Sequence, residues 1–252
     1  MTQSLCVEDV HVTFKNTKII DGMSLSVEDN EFVSIVGTSG CGKTTFLRAL
    51  GGLLPNNARI GRADLEGRPL RAPEPRVAMV FQHFGLFPWK TVEENILYGA
   101  RVQGRKEPTE RMQRLLDVMH LDAARKKYPR QLSGGMKQRT GIARAMVLAP
   151  ELLLLDEPLS AVDAITREVM QQEVIDLIEA ERRTALLVTH DLDEAIVMSD
   201  RIIVLGGPPA KVILDVRSPV ERPRSLDSVR SHPEYLSLRK ELWNALESGR
   251  AA

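Results

Sequence analysis

Four short apolar runs in the chain end abruptly at a polar or glycine residue. Phe32-Val33-Ser34-Ile35-Val36 stops at Gly37, and Val77-Ala78-Met79-Val80-Phe81 stops at Gln82. Residues 152–155, all leucine, stop at Asp156, and Ala185-Leu186-Leu187-Val188-Thr189 stops at His190. Continuous rather than alternating hydrophobicity marks strands buried on both faces, as in a parallel sheet. Ligands of such sheets sit beyond the carboxyl ends of the strands. The runs therefore predict Gly37, Gln82, Asp156 and His190 along one edge. Upstream, residues 10–14 and 23–27 alternate with period two around a polar turn at Lys15-Asn16-Thr17. That pattern predicts antiparallel strands packed on one face.

Between Pro88 and Gln131 the strand runs disappear. Residues 91–103 and 107–119 read as amphipathic helices, with Met112, Leu115, Leu116 and Met119 on one face. This predicts a helical subdomain of about residues 85–149 inserted into an α/β core of residues 1–84 and 150–215. A helix after Asp163 is expected to turn Val162, Ile165 and Val169 to one side. Residues 201–205 read as a further strand. The tail, residues 216–252, is expected to carry a short helix from about Pro233 to Leu246 with Leu238, Leu242 and Leu246 on its apolar face. Residues 1–246 together read as one domain.

Composition narrows the function. The 252 residues carry 34 basic and 34 acidic side chains, whereas a non-specific nucleic-acid binder relies on a basic excess to neutralise phosphates. No nucleic-acid partner is expected. The longest apolar runs are about five residues, far short of the ~20 that span a bilayer, and the first residues lack a signal-peptide pattern. If the protein works at a membrane, other chains do the crossing. The two cysteines, Cys6 and Cys41, show neither metal spacing nor a disulfide framework.

The segment Gly37-Thr38-Ser39-Gly40-Cys41-Gly42-Lys43-Thr44, followed by Thr45, matches G-x-x-x-x-G-K-[ST] between a buried run and a helix start. Glycines let the backbone curl so that its N–H groups face phosphate oxygens, and the following helix adds the positive end of its dipole. Lys43 is expected to reach the β- and γ-phosphates, and Thr44 to ligate Mg²⁺. Nucleotide binding follows. Asp156 and Glu157 stand together at a strand end. Asp156 suits Mg²⁺, which takes few carboxylates. Glu157 is then free to orient or deprotonate an attacking water. Cys41 lies inside the loop, and a bulky thiol reagent there is expected to block ATP.

Leu132-Ser133-Gly134-Gly135-Met136-Lys137-Gln138-Arg139 resembles the LSGGQ signature of ABC ATPases, in a methionine form. Gln82 matches the Q-loop position, Ser160-Ala161-Val162-Asp163 the D-loop, and His190 the switch histidine, all in family order. The resemblance covers essentially the whole chain. It implies a P-loop NTPase α/β fold with a mostly parallel sheet, an N-terminal antiparallel β subdomain and an inserted α-helical subdomain. It further implies ATP and Mg²⁺ as cofactors and a head-to-tail homodimer with ATP sandwiched between cradle and signature. Ser133, Gly134 and Gly135 would face the γ-phosphate held by the other copy, and Asp163 would contact that copy. His190 would contact the γ-phosphate and hold Glu157 and water in line. Gln82 would link Mg²⁺ and that water to the helical subdomain, and Phe14 matches the aromatic that stacks on adenine. Asn30, Thr44-Thr45 and Val162 depart from the commoner residues without removing a catalytic group.

Residues 85–95 and the tail segment Ser231-His232-Pro233-Glu234-Tyr235-Leu236 are similar to the nitrate/sulfonate/taurine importer group. Membership of that group implies membrane permease subunits, an indirect solute-binding protein, and a peripheral place on the cytoplasmic face of the inner membrane. Exposed Phe87 and Trp89 would dock a permease helix or, equally, pack between subdomains. A chromosome-maintenance relative would need a long coiled coil between cradle and signature, yet Ser133 follows Lys43 by only 90 residues.

Overall fold

A computed structural model describes residues 3–71 and 74–249. The chain opens with two long antiparallel strands, β1 (Gln3–Phe14) and β2 (Thr17–Glu28). Leu5, Val7, Val10 and Val12 of the first and Ile20, Met23, Leu25 and Val27 of the second are buried. Next come β3 (Phe32–Gly37), α1 (Lys43–Leu50), β4 (Ala58–Leu65), β5 (Arg68–Pro69) and β6 (Val77–Val80). Three helices follow, α2 (Val92–Val102), α3 (Thr109–Val118) and α4 (Gly134–Met146). The chain then returns to the core through β7 (Leu152–Asp156), α5 (Ala164–Glu181), β8 (Thr184–Thr189), α6 (Leu192–Met198), β9 (Arg201–Gly206) and β10 (Lys211–Arg217). Helices α7 (Leu226–Arg230) and α8 (Tyr235–Ser248) end the described chain.

Two sheets result. The smaller is antiparallel in the order β2-β1-β4-β5, and the larger runs β10-β9-β3-β8-β7-β6. In the larger sheet β6, β7, β8, β3 and β9 are parallel, and β10 adds an antiparallel edge. Three of the four apolar runs, β3, β7 and β8, are central strands and the fourth, β6, is an edge; period two divides each between two cores. Val33, Ile35, Leu152, Leu154, Leu186 and Val188 face one cluster, shared with α1 and the antiparallel sheet. Val36, Leu153, Leu155, Ala185 and Leu187 face the other, shared with the helices. Every residue of β3, β7 and β8 is thus buried because each side has its own cover, whereas in the edge strand β6 only Val80 is.

The helical segment forms as the periodicity predicts. Thr91 caps α2 in a reciprocal capping box with Glu94, and Met112, Leu115, Leu116 and Met119 are all buried. One expectation needs correction. Of Val162, Ile165 and Val169 only Val162, just before α5, is buried; Ile165 is 82% exposed and Val169 50%. The helix packs instead through Met170, Val174, Ile175, Leu177 and Ile178, a stripe at helical spacing that Ile165 and Val169 lie off. Strands β4 and β5 were not legible as strands, because Arg59, Arg62 and Asp64 break the apolar pattern; pairing with β1 creates them.

Asp200, just before β9, ties the tail to the core. Its carboxylate accepts from the Phe32 N–H at 2.7 Å, from Arg222 Nε at 3.0 Å, and from the buried guanidinium of Arg224.

Candidate nucleotide site

The loop between β3 and α1 takes its shape from glycine. Gly40 and Gly42 have φ of 83° and 108°, the left-handed region that glycine adopts without a Cβ penalty. At Gly37 a Cβ would stand 2.6 Å from the Leu205 carbonyl oxygen, so the loop can leave the sheet here only as glycine. Helix α1 then starts at Gly42 with no side-chain cap and no acidic residue in its first turn. Its leading N–H groups have no intrahelical partner, an arrangement suited to receiving an anion. Lys43 folds back into the loop, donating from Nζ to the carbonyls of Gly37 at 2.8 Å and Thr38 at 3.0 Å. It is 6% exposed, a buried ammonium with carbonyls but no carboxylate on it.

The strand ends bring the remaining groups to the same edge. The hydroxyl of Thr44, on α1, donates to Oδ1 of Asp156 at 2.6 Å. Asp156 is 2% exposed, and its Oδ2 has no hydrogen-bond partner, only an ion pair with Arg48 at 3.5 Å. Glu157, the next residue, holds φ at 45°, a conformation costly for a non-glycine residue and typical of functional sites. Its N–H is fixed on the Val188 carbonyl at 2.9 Å. Its Oε2 meets the Gln82 amide at 3.1 Å and His190 Nδ1 at 3.3 Å. The ends of β6, β7 and β8 thus converge on one carboxylate.

Together these groups open on a cleft of about 810 Å³. Gly37, Thr38, Ser39, Gly40, Gly42, Lys43, Thr44 and Thr45 line one part, and Gln82, Glu157 and His190 another. Phe14, 38% exposed, lines it too. Cys41 does not. Its thiol is fully buried, packed behind Gly37 with Lys43 Nζ at 4.0 Å. Only its backbone shapes the loop, and a thiol reagent reaches Cys41 only if the loop opens.

Ser133, Gly134, Gly135 and Asp163 stand apart from this cleft. Ser133 caps α4, its hydroxyl accepting from the Met136 N–H at 3.3 Å. Gly135 faces α5 so closely that a Cβ would come within 2.9 Å of Thr166, and the nearest contact to Gly134 is the Ala161 carbonyl. Asp163 caps α5 by accepting from the Thr166 N–H, which holds its carboxyl below the usual range. The signature helix tip and the loop before α5 therefore form one exposed surface. In the helical segment Trp89 is 70% exposed. Phe87 is half-buried against Tyr98, ring centroids 4.3 Å apart, and so is less open than expected.

Four cleft residues escaped sequence reasoning: Ile19, Leu192, Trp243 and Leu246. The signal available for Trp243 was its position off the Leu238/Leu242 stripe of an amphipathic helix, where packing on the core does not explain a large aromatic. Behind the cleft, Glu194 in α6 is buried, and desolvation, with Asp191 adding to it, pushes its carboxyl up to about 7 against the pull of a Thr189 hydrogen bond.

The family described as ABC transporter matches residues 20–160. A bicarbonate transport ATP-binding protein of Synechococcus elongatus is 45% identical over 231 residues, covering 88% of this chain and 34% of the relative. The chain thus spans about a third of that relative's length. A nitrate import ATP-binding protein of the same organism is 40% identical over 227 residues, 88% of this chain and 82% of the relative. An uncharacterised ABC transporter ATP-binding protein of Methanocaldococcus jannaschii is 37% identical over 253 residues, covering 98% and 92%. With the loop, the paired carboxylates and the capped signature helix in place, the chain belongs to the ABC transporter family of ATP-binding proteins.

Proposed function

We propose that this chain is the ATP-hydrolysing subunit of an ABC importer for a small oxyanion-type solute, working as a homodimer on membrane permease subunits. The observation that carries it is the convergence of Lys43, Thr44, Gln82, Asp156, Glu157 and His190 from α1 and three adjacent strand ends. Such a constellation serves phosphoryl transfer, where positioning and charge stabilisation do most of the work. The loop amides and Lys43 bind the triphosphate. Thr44, Asp156 and Gln82 hold Mg²⁺, for which the facing hydroxyl and carboxylate with its orphaned Oδ2 are a fitting oxygen donor set. Mg²⁺ bound by them would supply positive charge against the phosphate tail. Glu157 takes the proton of the attacking water, Gln82 and His190 fix its carboxylate, and Phe14 stacks on the base.

Ser133, Gly134, Gly135 and Asp163 complete the site from a second copy, since their own cleft is out of reach. A head-to-tail pair puts each signature on the other's γ-phosphate, so ATP closes the dimer and hydrolysis releases it. The helical segment of about residues 85–149 carries that motion to the permease, with Trp89 on the docking surface. The protein sits peripherally on the cytoplasmic face of the membrane. Among the described residues no helix is long and apolar enough to cross it. The oxyanion solute rests on the names of the nitrate and bicarbonate relatives. Reconstitution of the chain with its permease and binding protein in vesicles tests the proposal. ATP-driven nitrate or bicarbonate uptake is expected; ATPase activity uncoupled from either solute would refute the assignment.

A further inference from the structure

Helix α8 lies beyond the stretch matched by the family, yet it reaches the nucleotide cleft. Leu238 and Leu242 are buried and fix α8 to the core. Its N-terminal half is clamped to α6: Tyr235 Oη and Arg239 Nε both donate to Asp193 Oδ1, at 2.6 and 2.7 Å. Asp193 lies three residues after His190. From this anchorage Trp243, next to Leu242 but off the buried stripe, stays 49% exposed and lines the cleft together with Leu246. With Phe14, Ile19 and Leu192 these two give the cleft an apolar portion beside the phosphate loop. An aromatic left half-exposed inside a cleft forgoes burial free energy that a ligand can supply. Adenine nucleotides match this division, with an anionic tail for the loop and an apolar-faced base and ribose.

We infer that Trp243 is a nucleotide-contacting residue, and that the C-terminal helix is therefore part of the ATP site. The inference rests on the cleft being the ATP site. Because α8 is held on Asp193, nucleotide contact at Trp243 also bears on the turn that carries His190.

Emission of Trp243 tests this in the full chain carrying Trp89→Phe, which leaves Trp243 as the sole tryptophan of the two. MgADP is expected to change that emission saturably, with a midpoint equal to the Kd measured by calorimetry. Trp243→Ala is expected to weaken MgADP binding about 5- to 30-fold, the factor that one or two kcal/mol corresponds to. Trp243→Phe should recover most of the loss, which separates contact from misfolding. If calorimetry shows MgADP binding while emission stays flat and Trp243→Ala binds within twofold, the inference falls and the ATP site stands. An emission change seen only with MgATP and growing with protein concentration would put the second copy against Trp243, and also overturns it. No MgADP binding to the unmodified chain would sink the ATP site itself.

Discussion

The Thr44 hydroxyl donates to Oδ1 of Asp156 across 2.6 Å, joining the first turn of α1 to the end of β7. The residues are 112 apart in sequence, and each is held by a different rule. Thr44 follows the glycine loop that β3 launches, whereas Asp156 ends a strand buried on both faces. Parallel pairing through β8 sets their separation.

Asp156→Asn keeps the shape but removes the charge that suits a divalent ion. We expect Mg²⁺-dependent ATPase to fall by at least ~100-fold, as when a key charge-stabilising group is lost. Binding of ATP measured in chelator should change far less. A steady-state assay and calorimetry with and without Mg²⁺ check this.

Glu157→Gln retains a hydrogen-bonding side chain for Gln82 and His190 but cannot accept the water proton. Turnover should drop by at least ~100-fold, in the range of general-base losses, with ATP affinity nearly unchanged. Light scattering should then show ATP-dependent dimers that persist. Rapid turnover by this variant would reject Glu157 as the base.

Asp200→Ala leaves the guanidinium of Arg224 buried without its carboxylate, and Arg224 is already pushed down to about 10 by burial. Breaking a buried pair from one side costs about 3–5 kcal/mol. Urea unfolding should register a loss of that order. Residual stability near that of the parent would mean that the segment before α7 is not anchored as described.

Glu194 makes stability depend on pH. Below its ordinary 4.5 the carboxyl is protonated in both states. Between 4.5 and about 7 the unfolded chain ionises while the folded group, beside Asp191, Arg167 and His190, stays protonated. The folded state then binds more protons, so this group's contribution declines with rising pH and levels off above 7. Glu194→Gln should remove the decline and stabilise the protein at pH 8 by roughly 3 kcal/mol. Urea unfolding of both proteins at pH 5 and pH 8 measures the difference.

Much of the site was legible because its parts are local. The loop needs glycine at Gly37, Gly40 and Gly42 for backbone reasons that the sequence states directly. The apolar runs located the strand ends. Ile165 and Val169 misled because apolar residues at helical spacing do not say which face a neighbour covers. The burial of the Cys41 thiol was not legible, because a loop position says nothing about where a side chain points.

Chain order alone determined the phosphate loop, the acidic pair and the apolar runs that become strands, since these depend on backbone conformation and short-range pattern. Only the tertiary structure decided that Gln82 and His190 meet on one oxygen of Glu157, that Arg224 is buried on Asp200, and that Trp243 enters the cleft. Those contacts join residues far apart in sequence, and their geometry is set by how sheet and helices pack, which no local pattern encodes.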